Sequence, residues 1–257
     1  MVDITQIQSF YPEYLRPFKR NLLREYFQYK ILEIVFTSDF GNRLAFMGGT
    51  AIHIAHSNAR FSEDLDFDNI GLAGEDFKKL GDIILKKLEL EGHAAEIKSS
   101  FKAVYHLDIK ISNALYENKL SGYKDEKISV HLDAEPQGFD YICDKVIINK
   151  FGIFTRINIV PVDILLAQKL FAILMRKRAM GRDFYDALFL FGKTKPNLSY
   201  LEAKLGTHDL NELKIMLLKK CEKLNFKGLA KDVGPFLFKP EDAKKVLLFS
   251  GYIRDID

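Results

Sequence analysis

The 257-residue chain has no tryptophan, only two cysteines, and no apolar run near the roughly 20 residues that a membrane-spanning helix needs. Cys143 and Cys221 are far apart and lack Cys-x-x-Cys spacing, which excludes a disulfide framework and a cysteine-rich zinc site. A reducing cytoplasm suits that usage. Residues 1–14 carry no basic segment leading into an apolar core, so a soluble, unexported protein is expected, with no membrane partner. A Gly-x-Ser-x-Gly elbow, a Walker-type phosphate loop, an internal repeat and low-complexity tracts are all missing. Neither cysteine has the histidine context of a thiol nucleophile, and hydrolase, P-loop and repeat architectures are thereby set aside.

What the chain does have is apolar and aromatic bulk, 47% and 12% with 21 phenylalanines, enough to fill one large core or two small ones. Net charge is +3 but unevenly spread: residues 193–257 hold 13 Lys/Arg against 9 Asp/Glu, leaving the rest near −1. Lys214, Lys219, Lys220, Lys223 and Lys227 fall in or beside one helical pattern. Such a run is either a solvated face or a surface for RNA phosphates.

The most informative stretch is residues 47–68. Leu44, Phe46 and Met47 read as the end of a strand, Gly48 and Gly49 permit a tight turn, and residues 50–57 read as a short helix. A strand, a bare turn and a helix N-terminus aim several backbone N–H groups at one point, which suits a phosphate chain. Residues 60–68 then return as a strand, with Asp64, Asp66 and Asp68 on one face and Leu65 and Phe67 on the other. Like charges so close are costly unless a cation lies between them, and hard oxygen donors indicate Mg²⁺. The plain alternative is an edge strand with capping aspartates. His53 and His56, three residues apart, form no recognisable zinc set and read as helix-surface side chains.

Gly-Gly-Thr followed by Asp-Leu-Asp resembles the signature of the DNA polymerase β-like nucleotidyltransferases, and the fuller wording FMGGTAIHIAHSNARFSEDLDFD resembles the AbiEii/AbiGii toxin family. That resemblance implies an α/β fold, a mixed sheet with flanking helices followed by a C-terminal helical region. It also implies nucleotidyl transfer from a nucleoside triphosphate, a tRNA-directed or abortive-infection role, and a cognate antitoxin. Gly48, Gly49 and Thr50 would cradle phosphates, Asp64 and Asp66 would hold the metal, and Arg60 and Ser62 would brace the strand. A third carboxylate often stands on the neighbouring strand. Asp133 is the candidate, with a solvent-facing strand end as its alternative, and related toxins more often place an acid near His131.

Elsewhere the pattern is regular. Residues 12–37 read as one or two amphipathic helices, 75–91 as a helix ended by Gly92, and 105–111 and 128–133 as neighbouring strands joined by a long excursion. Apolar runs in 141–160 suggest closing strands. Residues 162–178 are apolar nearly all round a helical wheel except for Gln168, Lys169, Ala172 and Arg176, so that stripe faces water or lines a cleft.

The resemblance resumes here with PVDILLAQKL, Arg176, Arg178 and RDFYDAL, and it favours the cleft. It implies that Lys169 holds triphosphate oxygens with Arg176 and Arg182 as further substrate contacts, and that Asp186 accepts a proton from the attacking hydroxyl or orients Lys169. Spacing alone allows a plainer reading, an intrahelical pair between Arg182 and Asp186. Two domains are expected, residues 1–160 and 161–257, with the second contributing Lys169 and Asp186 to the cleft. The main competitor is a polymerase-like fold kept as a binding module. The acceptor hydroxyl is expected on RNA, at a tRNA 3′ end, with protein or a small molecule as the alternatives.

Overall fold

Clean apolar alternation makes strands pair over one buried face, and in the computed structural model, which describes residues 3–256, this builds a seven-stranded mixed sheet. Its strands are β1 (Leu44–Met47), β2 (Leu65–Asn69), β3 (Ala95–Phe101), β4 (Tyr105–Ile111), β5 (Ile128–Glu135), β6 (Asp144–Lys150) and β7 (Ile153–Ile159), in the order β3-β4-β5-β2-β1-β7-β6. β1 pairs parallel with β7, β2 parallel with β5, and the other neighbours are antiparallel. Leu107, Ile109 and Ile111 of β4 and Val130, Leu132 and Ala134 of β5 are buried, so the opposite face of these strands carries every polar residue between them.

The chain divides into two units. The first comprises Met1–Ala55, Phe61–Gly138 and Cys143–Ile159, and holds the sheet with its helices. These are α1 (Ile4–Ser9), α2 (Lys19–Thr37), α3 (Gly48–His56), α4 (Gly74–Leu90) and the single turn α5 (Ala114–Glu117). α4 buries Phe77, Leu80, Ile84 and Leu88, spaced three and four apart, each contributing about 1.5–3 kcal/mol on burial. The β6–β7 connection is a two-residue turn in which Phe151 and Gly152 both have positive φ, 59° and 78°, matching the twist of a hairpin. Phe151 is held there by edge contacts with Phe10, Tyr26 and Tyr29.

The second unit comprises His56–Arg60, Phe139–Ile142 and Val160–Asp257 and is helical. It contains α6 (Val162–Met175), α7 (Gly181–Phe191), α8 (Leu198–Leu205), α9 (Leu210–Cys221), α10 (Phe226–Val233) and α11 (Phe249–Asp255). α7 can start against α10 only because residue 181 is glycine: a Cβ there would lie 2.0 Å from the Leu229 carbonyl oxygen. The Gly181 N–H donates to Asp232 at 2.8 Å. Lys220 of α9 donates to the carbonyls of Leu174 and Arg176, at 2.8 and 3.2 Å, and so closes the C-terminus of α6 with a cation. No helix among the described residues is long and apolar enough to cross a membrane.

Several expectations are corrected. The strand expected over 60–68 begins at Leu65, because the carbonyls of Ser62, Glu63 and Asp64 are already taken by side chains: Gln28 donates to the first two and Thr50 to the third. The helix after β1 starts at Gly48 itself, and α6 ends at Met175. β3 is not among the strands expected from the sequence: Ala95, Ile97 and Phe101 share one face, but on this sheet edge all seven residues are half or fully exposed and the alternation is interrupted by Ser99.

Inside the first unit, Glu25 of α2 is 2% exposed and receives Lys150 at 2.8 Å and His53 of α3 at 3.1 Å. His53 is thus a half-buried partner of α2, its side chain 10% exposed, and not a surface residue. Burial pushes the Glu25 carboxyl up, but the charges of His53 and Lys150 outweigh it and hold the group at about 2. Its stability contribution is therefore complete above its ordinary 4.5 and is lost as pH falls towards 2, on the order of 3 kcal/mol. Acid titration of thermal stability should show this: Glu25→Gln is less stable than wild type at pH 7, and the gap narrows steadily below pH 4.5. A gap that stays constant down to pH 2 would contradict it.

Candidate active site

The Gly-Gly-Thr turn and the Asp-x-Asp come together through the antiparallel pairing of β1 with β2, which sets Met47 opposite Asp66. Gly48 has φ +74°, and a Cβ built on it would fall 2.0 Å from Asp66 Oδ2. The carboxylate therefore rests on the bare turn, an approach only glycine allows. Thr50, fully buried, donates its hydroxyl to the Asp64 carbonyl at 2.5 Å and ties the first turn of α3 to the residues that precede β2. Asp68, on the same face, is 4% exposed and accepts from the Gln137 N–H at 2.8 Å, so it is a structural acceptor.

β5 brings two further groups to this face. In the parallel register Asp133 stands beside Asp66, and the residue two before it, His131, comes beside Asp64. His131 Nδ1 is 3.1 Å from Asp64 Oδ1, and its Nε2 is 3.4 Å from Asp108 Oδ1 on β4. Asp133 is taken up by His106, its direct cross-strand partner. Asp133, the third carboxylate expected from the sequence, thus meets a histidine as Asp64 does, and among the described residues no three His, Cys, Asp or Glu side chains are gathered as a metal site. Asp64 and Asp66 still fit a hard divalent cation: both are carboxylates, one just before β2 and one on it two residues later, and the turn that Asp66 rests on brings no side chain of its own at Gly48.

The second group of expected residues lies wholly within the helical unit. Asp186 of α7 is 0% exposed and both its oxygens are doubly contacted. Oδ1 accepts from Arg60 Nε at 2.6 Å and Asn58 at 2.8 Å, while Oδ2 meets Arg60 at 2.6 Å and Lys169 at 2.9 Å. Lys169 of α6 also reaches Asp183 at 3.1 Å, and Asp183 pairs with Arg176 at 3.0 Å. Burial alone would push Asp186 up and Lys169 down; their mutual attraction, with Arg60 and Asp183, reverses both shifts and keeps the acid ionised and the amine charged. Arg60, expected to brace the strand, is instead the bidentate partner of Asp186. Arg182 forms no pair with Asp186. Its guanidinium lies 5.0 Å over the Phe236 ring. Sequence spacing could not supply the Arg60–Asp186 pair, since 126 residues separate the two.

A fully buried, bidentate carboxylate is costly to break, because the partner left behind is an unpaired charge. Asp186→Asn should lower unfolding free energy in urea by about 3–5 kcal/mol, and the loss should not add to that of Arg60→Ala in the double variant. Additive losses would mean that the pair does not act as one.

Set beside known proteins, the family model described as "Nucleotidyl transferase AbiEii toxin, Type IV TA system" matches residues 30–233. No curated protein matches the chain. Among solved structures, MenT4, a nucleotidyltransferase toxin from Mycobacterium tuberculosis H37Rv, is similar with TM-score 0.59 and 15% identity, over 100% of this chain and 91% of that one. A putative nucleotidyltransferase from Helicobacter pylori is similar with TM-score 0.55 and 17% identity, over 91% and 94% of the two chains. JHP933 from Helicobacter pylori follows at 0.53 and 17%, over 91% of each. These structural likenesses speak to the fold, a mixed sheet with flanking helices.

Proposed function

Since the chain belongs to the AbiEii nucleotidyl transferase toxin family, and is on that ground a nucleotidyltransferase, we propose that it transfers a nucleotidyl group from a nucleoside triphosphate to a hydroxyl, releasing pyrophosphate, as the toxin of a toxin–antitoxin pair. The observation that carries the reading is the Asp66 carboxylate lying on the Gly48 turn, with Thr50 fastened to Asp64. Phosphate donors and metal ligands then belong to one rigid corner of the sheet. A divalent cation held by Asp64 and Asp66, Mg²⁺ by the hardness of its donors, would polarise the α-phosphate and make the acceptor hydroxyl a better nucleophile. Gly48, Gly49 and Thr50 present backbone N–H groups to the β- and γ-phosphates.

Lys169, kept charged by Asp183 and Asp186, supplies a fixed cation for triphosphate oxygens, with Arg176 and Arg182 as further contacts. With four contacts on two oxygens, Asp186 has little left to offer a proton, which favours its orienting role over general-base work. Replacing Asp64 tests the metal reading. Asp64→Asn should cut transfer from labelled triphosphates by at least 10²–10³-fold, roughly the loss expected when a charge-stabilising group is removed. Its half-exposed contact with His131 predicts a stability change within about 1 kcal/mol. Near-normal turnover would sink the assignment, and a binding module would show no metal-dependent nucleotide binding at all.

For the acceptor we propose RNA, a tRNA 3′ end in particular, on the strength of the basic excess after residue 192. Lys220 is engaged at the end of α6 and Lys214 donates to the Ile256 carbonyl at 3.1 Å. The exposed Lys219, Lys223 and Lys227 are then the phosphate contacts. Changing these three to Gln should weaken transfer to RNA and reduce the slope of log activity against log salt by about 2, some 0.7 for each single-strand phosphate released. An unchanged salt series, or labelling of protein alone, would overturn the RNA proposal.

A further inference from the structure

His131 stands where a nitrogen donor changes what the metal corner selects. Its Nδ1 is 3.1 Å from Asp64 Oδ1. Two adjacent ligands on an octahedral ion with bonds of about 2.1 Å are separated by about 3.0 Å, so imidazole and carboxylate already stand one coordination edge apart. The other ring nitrogen faces Asp108, the direct cross-strand partner of His131, at 3.4 Å. Asp108 Oδ1 is buried and makes no hydrogen bond of good geometry, while its Oδ2 is fixed by Lys110 at 2.9 Å. A histidine backed by a carboxylate on one nitrogen is the arrangement by which metal sites fix the tautomer and aim the free lone pair of the other.

We propose that His131 is the third protein ligand of the divalent ion held by Asp64 and Asp66, that Asp108 orients it, and that the corner therefore favours Mn²⁺ over Mg²⁺ more than an all-carboxylate corner would. This rests on the nucleotidyl-transfer reading above. Imidazole binds first-row transition ions far better than it binds Mg²⁺, whereas carboxylates serve both. The trio is not gathered beforehand among the described residues. Asp66 stands on the same polar side of β2 as the Asp64–His131 pair, with Asp133 rather than His131 as its register neighbour, so it is the member that has to turn.

The test is calorimetric titration of the whole chain with Mn²⁺ and with Mg²⁺, without nucleotide, together with pulsed electron paramagnetic resonance of bound Mn²⁺. Wild type should show a directly bound imidazole nitrogen, retained in His106→Gln and lost in His131→Asp. The affinity ratio of Mn²⁺ to Mg²⁺ should fall about tenfold or more in His131→Asp, the size of effect that ligand-shell changes produce. Asp108→Asn should weaken Mn²⁺ while keeping the nitrogen signal. Mn²⁺ bound through oxygen alone in wild type overturns the role of His131 yet leaves nucleotidyl transfer standing. Absence of binding by both ions overturns the role of His131, while nucleotidyl transfer is judged separately by the labelled-triphosphate assay, because substrate phosphates can complete the metal's shell. The wild-type spectrum decides even if His131→Asp folds poorly.

Discussion

Asp66 Oδ2 occupies the space where a side chain on Gly48 would begin. That contact follows from the antiparallel register of β1 with β2, and it coincides with a positive φ at residue 48, the residue at which α3 begins. Thr50 then secures α3 from its first turn through the Asp64 carbonyl, and His53 secures it from its middle through buried Glu25. The helix N-terminus and the aspartates are thus held by contacts on both sides. Pre-organisation of that kind is what an electrostatic catalyst requires, because donors fixed before reaction need no reorganisation during it.

The helical unit solves a different problem, keeping a lysine charged in a buried place. Arg60, Lys169 and Arg176 face two carboxylates, Asp183 and Asp186, so the cluster retains one positive charge in excess. Buried ion pairs add little stability relative to apolar packing, since desolvation offsets most of the attraction. Their retention here fits a need for a positioned cation better than a need for stability. Asn58 contributes the last hydrogen bond to Asp186, and the segment 56–60 that carries both Asn58 and Arg60 belongs to this unit although helix and strand of the other unit flank it.

Much of this was readable beforehand where periodicity and local chemistry agree. β1, α4, β4, β5 and α6 follow directly from apolar spacing, and the Gly-Gly-Thr with Asp-x-Asp carries the family resemblance in a few residues. What escaped were partnerships across long separations. His53 reads as a surface histidine until Glu25 is set against it, Arg60 as a strand brace until Asp186 is, and Lys220 as one of a row of solvated cations until its amine is found on the last carbonyls of α6. Each missed side chain is polar and its partner lies at least 28 residues away, so neither local propensity nor helical spacing holds the information.

The polar face of β4 and β5 shows how the readable part fixes the unreadable part. Leu107 and Ile109 face the core opposite Leu132 and Val130, and a shift of one residue would expose them all. With the apolar register locked, the alternate positions are locked as well, so that His106 must meet Asp133 and Asp108 must meet His131. The parallel pairing of β2 with β5, anchored by Leu65 beside Leu132, then brings Asp64 to the imidazole. Histidine and aspartate trade places between the two strands, so Asp108 and Asp133 each have an imidazole opposite them and Asp64 shares His131 with Asp108. Hydrophobic burial on one side of the sheet therefore determines which titratable groups meet on the other, and the chemistry of the corner rests on a packing decision made beneath it.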